Sequence, residues 1–403
     1  MPPAPGPVRS EDRILVIDIV RGVALLGIFI MNMPGFSHSL FAGVDAYTDL
    51  LSRAAALVRE ALFGGKFNSM FSMLFGIGFT IQLGRLRESQ PARATAIYVR
   101  RLVVLLAIGL VHAGLLWSGD VLLVYAVLGF ALLLLQRLPD KVLVALLVAC
   151  LAFPALFDAY QEQLVSPRAE ALAAFDYEDL EASNNLAFGT GSFVDAARET
   201  ARTLAWGYGT AMGRWSYALF YVHMATGMLL GYAIGRRGWV RRIDELRPEV
   251  RHLQWIALGV GIAGALVYAA SRPAALVAEP APSLVFGGDF MHAVSRLALM
   301  IFYALTLVRV AALPAWRGVL LPFAAAGRMP LTNYLLQTVL GTFIFYGWGL
   351  GYWGRAGPAL ELLLAPLLFV AIQLPLSVWW LRHHRYGPLE YAWRVLSYGG
   401  RIA

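Results

Sequence analysis

Ten apolar runs recur along this chain, and each is about long enough to cross the hydrocarbon core of a membrane. They lie near residues 14–33, 67–84, 102–118, 121–136, 141–157, 215–235, 253–270, 291–311, 331–350 and 359–381. A core roughly 30 Å thick needs about 20 apolar residues in helical form. Only 14% of the 403 residues are charged, whereas soluble domains average about 25%. The sequence therefore predicts an all-α polytopic membrane protein with about ten transmembrane helices.

The arginines predict how these helices are oriented. They cluster in alternate loops, near residues 85–101, 236–251 and 382–401, whereas the region 158–213 is rich in aspartate and glutamate. Because arginine-rich loops face the cytoplasm, both termini are predicted to lie there. The net charge of +8 then reflects membrane topology, so the expected partner is the lipid bilayer and no nucleic acid is expected.

The chain is predicted to form a single integral membrane helical domain, residues 13–395. A Pro-rich tail, 1–12, is expected to be disordered, and residues 396–403 form a second tail. The region 158–213 is predicted to lie on the outer face as amphipathic helices. Val319 to Ala326 is apolar but too short to cross, which indicates a re-entrant or interfacial segment.

Two opposite charges, Asp18 and Arg21, lie inside the first apolar run. An ionised side chain near the middle of a spanning helix costs roughly 2.5 to 3.5 kcal/mol, so such a pair is expected to face protein or a polar cavity. The two residues share a helix face, and Asn32 extends that face about 16 Å further. We expect Asp18 and Arg21 to support a substrate-binding cavity and Asn32 to point toward its reacting end.

A second polar group surrounds the short turn Ser118-Gly-Asp120, which predicts a hairpin of two helices. His112 precedes the turn, and its imidazole is a candidate general base. Asp120 is a candidate orienting group, although an aspartate here also caps the next helix. Trp117 and Tyr125 flank the turn as candidate substrate contacts. The alternative for His112 is a packing role, with its ring bonded to a backbone carbonyl.

Two further residues are candidate contacts at the predicted outer side. His38 follows the first span and is a second candidate base. Lys66 begins the second span, where it is expected either to extend toward the membrane surface or to bind an anionic group. The cysteine and histidine spacing matches no zinc site, so no bound metal is expected.

The segment 324–337 contains a break near the predicted cytoplasmic side. Pro330 begins a helix and places Arg328 next to its N-terminus, a favourable position for binding phosphate. Asn333 and Gln337 are four residues apart and share a face beside Arg328. Arg101, eleven residues before His112, repeats the spacing of Arg21 and Asn32. These four residues are the candidate cofactor-binding set, and polar packing between helices is the alternative.

Five motifs along the chain resemble the YeiB-like family, bacterial inner-membrane proteins that carry a domain of unknown function. They are Asp18-x-x-Arg21-Gly22 to Asn32, Lys66-Phe67 with Leu74-Phe75-Gly76-x-Gly78, His112-x-Gly114-x-x-x-x-Gly119-Asp120 with Tyr125, Gly327-Arg-Met-x-Leu-Thr-Asn-Tyr-Leu-Leu-Gln-Thr338, and Gly387-Pro-x-Glu390-x-x-Trp393-Arg394. The resemblance spans nearly the whole chain and implies a multi-pass protein of the bacterial cytoplasmic (inner) membrane. It assigns residues 231–395 to a C-terminal family region.

That family in turn resembles the transmembrane acyltransferase superfamily, which includes polysaccharide O-acetyltransferases and the lysosomal heparan glucosaminide N-acetyltransferase. The polysaccharide acetylators carry an arginine, ten residues and then a histidine in their first helix. Here Arg21 is followed at that spacing by Asn32, so the role of that histidine does not transfer. The resemblance therefore implies acyl transfer without identifying the base.

Three functions follow as hypotheses. The first is an acyltransferase that moves an acyl group, such as acetyl, from cytoplasmic acetyl-CoA or another acyl-CoA to a small-molecule or glycan acceptor at the outer side. In it, Arg328 holds the CoA phosphates and His112 deprotonates the acceptor hydroxyl or amine. The alternatives are a transporter or channel for a small polar or anionic solute, and a non-catalytic membrane scaffold. The sequence also leaves open a homodimer.

Overall fold

The computed structural model describes residues 15–41, 49–164, 167–239, 247–271 and 282–400. The tail predicted to be disordered, residues 1–12, lies outside these ranges, and so do residues 401–403 of the C-terminal tail. Within the described residues the chain forms α-helices and no β-strand. The protein is therefore an all-α, multi-pass membrane protein, as the apolar runs predict.

Sixteen α-helices follow one another along the described chain. The first eight are α1 (Leu15–Ser37), α2 (Leu50–Phe63), α3 (Lys66–Ser89), α4 (Ala94–Leu115), α5 (Leu122–Leu135), α6 (Asp140–Leu164), α7 (Pro167–Gly189) and α8 (Phe193–Gly209). The second eight are α9 (Ala211–Arg236), α10 (Arg247–Ser271), α11 (Pro282–Ala311), α12 (Arg317–Arg328), α13 (Pro330–Phe345), α14 (Pro358–Leu368), α15 (Leu374–His383) and α16 (Pro388–Tyr398).

Seven helical stretches are long and apolar enough to cross a membrane. They are α1, α4, residues Asp140–Tyr160 of α6, α9, Pro248–Ser271 of α10, Ser283–Ala311 of α11, and Pro358–His383. The last stretch combines α14 and α15 through a π-helical turn, Phe369–Gln373. The other three predicted spans also lie on helices, α3, α5 and α13. Helices α5 and α13 are short, with 14 and 16 residues, and α3 has 24 residues but is not among the seven stretches that are apolar enough. Membrane crossing by these three therefore stays a prediction.

Helix α1 lies at the centre of the molecule and packs against α3, α12, α13 and α14. Its middle residues Ala24, Leu25 and Phe29 are completely buried. At its first turns, a Cβ on Gly22 would clash with the Phe323 carbonyl, and a Cβ on Gly327 would clash with the Asp18 carbonyl. Small residues therefore bring α1 and α12 into close contact, as membrane helices commonly require.

The predicted short segment Val319 to Ala326 lies within α12. Twelve helical residues span only about 18 Å, which is less than a hydrocarbon core. Since α12 packs on α1 and α15, it holds the break before Pro330 against the N-terminal half of α1. This contact places Arg328 close to Arg21.

The acid-rich region 158–213 contains the end of α6 and the two helices α7 and α8. Helix α8 packs against α4 and α9, and it begins with a capping box between Ser192 and Asp195. Its residues Thr203 and Trp206 reach a cavity beside the α4–α5 hairpin. The region therefore covers one end of the helix assembly.

Candidate functional site

A first cavity, the inner cavity, has a volume of about 180 Å³ and lies among α1, α3, α4, α5, α13 and α16. Four arginines line it: Arg21, Arg101, Arg328 and Arg394. Most of its remaining wall is apolar or aromatic, and it ends at the hairpin residues Val121, Leu122 and Tyr125. On α4 the lining residues run from Tyr98 to Leu105, so the cavity follows this helix for about 10 Å.

The four arginines are held mainly by backbone groups and aromatic rings. Arg21 donates to Asp18 at 2.7 Å and to the Gly327 carbonyl at 3.0 Å. The guanidinium of Arg101 lies 4.2 Å from the Trp393 ring centroid. Arg328 donates to the Arg385 carbonyl at 3.4 Å, and its buried Nε has no hydrogen-bond partner among the described residues. Arginine with free donors is well suited to a phosphate or carboxylate.

Glu390 is the carboxylate in the wall of the inner cavity, but its oxygens are already bonded. Oε1 accepts from the backbone amides of Leu331 at 2.7 Å and Thr332 at 3.0 Å, and Oε2 accepts from the Thr332 hydroxyl at 2.6 Å. Glu390 on α16 thus caps the N-terminus of α13. Burial raises the pKa of this carboxyl, although the bonds from Thr332 oppose the change. The three bonds hold both carboxyl oxygens at the start of α13.

A second cavity, the outer cavity, has a volume of about 340 Å³ and lies beyond the α4–α5 turn. Its polar wall contains Asn32, Asn68 and Asp120, and its aromatic wall contains Trp117, Trp206 and Tyr217. The buried atoms Asn32 Nδ2 and Asn68 Oδ1 have no hydrogen-bond partner among the described residues. Each of these two wall residues therefore carries one buried polar atom without a partner, and such burial is costly.

Val121 lines both cavities. It is 4% exposed, and its backbone amide donates to the Tyr334 hydroxyl at 3.2 Å. The residue before it, Asp120, lines the outer cavity, and Tyr125, one turn after it, lines the inner cavity. The hairpin turn is therefore a thin partition between an arginine-lined chamber and an amide-lined chamber.

Behind this partition, His112 joins the hairpin to α13. Its Nδ1 lies 2.7 Å from Asp120 Oδ1, and its Nε2 lies 2.9 Å from the Thr338 hydroxyl. Asp120 Oδ2 accepts the Leu123 backbone amide at 2.7 Å. His112 is 1% exposed and lines neither cavity. The bond to Leu123 is the helix cap that the sequence indicates for Asp120.

The structure thus separates the predicted site residues into two groups that meet at the hairpin. Arg21, Arg101, Arg328 and Tyr125 line the inner cavity, and Asn32, Trp117 and Asp120 line the outer cavity. Asp18 braces Arg21 without lining either. Trp117 is fixed by its bond to the Gly35 carbonyl at 3.0 Å.

Two predicted substrate contacts lie elsewhere. Lys66 is buried and donates to the Glu60 and Gly64 carbonyls, both at 3.2 Å, so it stabilises the end of α2. His38 Nδ1 lies 2.8 Å from the Ser37 hydroxyl and 3.3 Å from Glu361 Oε1. Neither lines the inner or the outer cavity, because both face neighbouring helix ends.

Asn333 and Gln337, predicted to bind a cofactor beside Arg328, belong instead to a buried amide network. The Asn333 amide donates to the Met329 carbonyl and to the Ser377 hydroxyl, both at 3.0 Å. Gln337 donates to the Leu25 carbonyl at 3.1 Å and to Gln373 Oε1 at 3.3 Å. Their shared face points toward α1 and the π-helical turn, and away from the inner cavity. The structure supports the polar-packing alternative for this pair.

Several residues that complete the two cavities are absent from the sequence prediction. Asn68, Val121, Tyr334, Thr338 and Arg394 each contact a cavity or the His112 pair. Tyr334, Thr338 and Arg394 lie inside the five motifs, and Asn68 directly follows Lys66-Phe67, so position in or beside a motif could have indicated them. Thr338 lies 226 residues from His112, so no local pattern connects them. In the described ranges, no group of three or more His, Cys, Asp or Glu residues could hold a metal ion.

Comparison with known proteins gives relatives of full length. The family model DUF418, described as a protein of unknown function, matches residues 234–400. Uncharacterized protein YxaH of Bacillus subtilis (strain 168) is 31% identical over 97% of this chain and 96% of its own. Uncharacterized protein YeiB of Escherichia coli (strain K12) is 30% identical over 96% of each chain. No solved structure matches the chain.

Proposed function

We propose, for a chain that belongs to the YeiB-like DUF418 family of proteins of unknown function, that it is a membrane acyltransferase. Acyl-CoA enters the inner cavity, and a hydroxyl or amine acceptor occupies the outer cavity. The observation that carries this proposal is the wall that the cavities share at Val121. A donor and an acceptor on opposite sides of so thin a partition need only a small displacement to react.

The inner cavity has the chemistry that an acyl-CoA donor requires. Arg101, Arg328 and Arg394 offer charge for its phosphates, and Glu390 is occupied by backbone amides. The apolar wall beyond them suits an uncharged arm that carries the thioester toward Tyr125 and Val121. By the positive-inside rule this arginine end faces the cytoplasm of a bacterial cell, where acyl-CoA is available.

The outer cavity has the chemistry that an acyl acceptor requires. The unpaired Asn32 amide is a donor for the thioester carbonyl oxygen, which gains negative charge as the acceptor attacks. The unpaired Asn68 oxygen accepts a hydrogen bond from an acceptor hydroxyl or amine. The His112–Asp120 pair beside them supplies the base. The acceptor then forms a bond to the acyl carbon, and CoA leaves as a thiol.

The test is binding and transfer by the purified protein in detergent. Calorimetry with acetyl-CoA should detect binding in the wild type, and Arg328→Gln should weaken it about tenfold, which is about 1.4 kcal/mol. Arg317→Gln is the matched control, since Arg317 is an exposed arginine on the same helix that lines neither cavity. Radiolabelled acetyl-CoA with ethanolamine, which offers both a hydroxyl and an amine, should yield labelled product. No binding of acetyl-CoA would exclude the proposed donor.

The two cavities also carry a second candidate function, a transporter for a small anionic solute. Cavities at opposite ends of a closed partition are the arrangement from which alternating access starts. In that case proteoliposomes would pass a labelled organic anion and the protein would release no CoA thiol. Acyl transfer without solute flux would exclude this alternative.

A further inference from the structure

The two members of the His112–Asp120 pair differ in what they contact. Both side chains are 1% exposed, but Asp120 belongs to the wall of the outer cavity, whereas His112 belongs to the wall of neither the inner nor the outer cavity. We propose that Asp120 is the catalytic residue that takes the proton of the acceptor, and that His112 and Thr338 are positioning residues. This inference rests on the proposed acyl transfer and assigns its base.

Both nitrogens of His112 are already engaged inside the protein. Nδ1 is 2.7 Å from Asp120 Oδ1, and Nε2 is 2.9 Å from the Thr338 hydroxyl. A neutral imidazole has one donor and one acceptor. When Nδ1 donates to the carboxylate, Nε2 accepts from Thr338, an assignment made from the partners. No nitrogen lone pair of His112 is then left for a substrate.

Asp120, by contrast, retains capacity to accept. Its oxygens receive one bond from His112 and one from the Leu123 backbone amide at 2.7 Å. A carboxylate offers about four lone-pair sites, so about two remain beyond these bonds, on a side chain that is 1% exposed and belongs to the wall of the outer cavity. The same two bonds hold the carboxylate at the start of α5. They fix its orientation and leave its other lone pairs unbonded.

The reaction balances with the groups already named. Asp120 accepts the proton of the acceptor hydroxyl or amine while the acceptor atom forms its bond to the acyl carbon. The carbon–sulfur bond of the thioester breaks, and its electron pair leaves with the sulfur. Protonated Asp120 then transfers its proton to the CoA thiolate and returns to the carboxylate. Since Val121 follows Asp120 and lines both cavities, the sulfur arrives next to this carboxylate.

The test compares substitutions that keep the hydrogen bonds with substitutions that remove them, using acetyl-CoA and ethanolamine as probes. Asp120→Asn still accepts the Leu123 amide but takes no proton, so kcat should fall about 1000-fold, within the range of general-base catalysis, with unchanged acetyl-CoA affinity. His112→Asn places an amide where Nδ1 was and should retain kcat within about tenfold. His112→Ala should lose about 100-fold, and Thr338→Ser should match the wild type.

A readout independent of turnover is chemical labelling of the carboxyl group. A membrane-permeant carbodiimide should form an adduct on Asp120 in the wild type and in His112→Asn, as detected by mass spectrometry. Glu178→Gln, which changes an exposed acid of α7, should leave both labelling and kcat unchanged.

The outcomes separate the two proposals. A wild type that neither binds acetyl-CoA nor releases thiol rejects the acyltransferase and the base assignment together. An active wild type in which Asp120→Asn keeps its kcat, while His112→Asn loses it, overturns the base assignment alone. Absence of the carbodiimide adduct on Asp120 also overturns it, because the carboxylate must then be closed to the cavity.

Discussion

The inner and outer cavities differ in the kind of polar group that they offer. Four arginines line the inner cavity, and Arg21 and Arg101 are already supported there by Asp18 and Trp393. The outer cavity has the amides of Asn32 and Asn68, each with a buried polar atom that has no partner in the described chain, and Asp120 is the acidic residue in its wall. The inner cavity therefore favours a negatively charged ligand, whereas the outer cavity favours a ligand that makes specific hydrogen bonds. This division suits an anionic donor and an uncharged acceptor.

The largest expected effect comes from closing the partition between the two cavities. Val121→Trp would extend an indole into space that borders Val121 on both sides. Acyl transfer should fall more than about 100-fold, because displacing a reacting centre by an ångström has effects of this size. Acetyl-CoA affinity, measured by calorimetry, should change little, since the arginines stay in place.

Val127→Trp is the control for this substitution. Val127 lies on the same helix, is 40% exposed, and lines neither cavity. If both tryptophan variants transfer acetyl groups at the wild-type rate, the shared wall is not the point of contact between donor and acceptor. The inner and outer cavities would then be two sites with unrelated functions.

A smaller loss is expected when the free donor of the outer cavity is removed. Asn32→Leu should lower kcat about 100-fold, the usual cost of losing one donor to a developing oxyanion. The protein should be as stable as the wild type or more stable, because a buried amide without a partner destabilises the fold. Steady-state kinetics and thermal unfolding in detergent measure the two effects. A less stable Asn32→Leu variant with normal kcat would make Asn32 a packing residue.

How much of this site the sequence could predict depends on how far apart the partners lie. Arg21 and Asn32 are eleven residues apart on one helix, and so are Arg101 and His112. Helix geometry alone therefore places the two members of each pair about 16 Å apart along the helix axis. The His112–Asp120 contact could be predicted from the sequence because a short turn joins the two residues. The apolar runs likewise predicted the helices themselves.

The other contacts depend on how distant helices pack. Asn333 and Gln337 share a face, as their spacing indicates, but no local rule says whether that face meets the arginines or the π-helical turn. His38 Nδ1 lies 3.3 Å from the carboxylate of Glu361, a residue more than 300 positions away in the sequence. Asn68 directly follows the motif residues Lys66-Phe67, but only the packed structure shows that its side-chain oxygen is buried without a partner in the described chain.

The variants Asn333→Leu and Asn32→Leu are expected to differ in stability, which tests whether the outer cavity contains an unpaired amide. The Asn333 amide is bonded to Met329, Ala326 and Ser377, whereas the Asn32 amide nitrogen has no partner in the described chain. Asn333→Leu should therefore destabilise the protein by about 1–3 kcal/mol, since it leaves buried acceptors unsatisfied. Thermal unfolding of Asn333→Leu beside Asn32→Leu measures the contrast. Equal stabilities would contradict the assignment of Asn333 to structure.

The smallest effect is expected at Glu390, the wall residue of the inner cavity that caps α13. Glu390→Ala removes the acceptor for the Leu331 and Thr332 amides at the start of α13, and losing a helix cap costs about 1 kcal/mol. Glu390→Gln keeps a carbonyl oxygen at the same place, so it should retain most of that stability. Acetyl-CoA binding should survive in both variants, because neither removes an arginine. If Glu390→Gln unfolds as readily as Glu390→Ala, the negative charge of Glu390 stabilises the arginine cluster directly, and the inner cavity is less positive than its four arginines indicate.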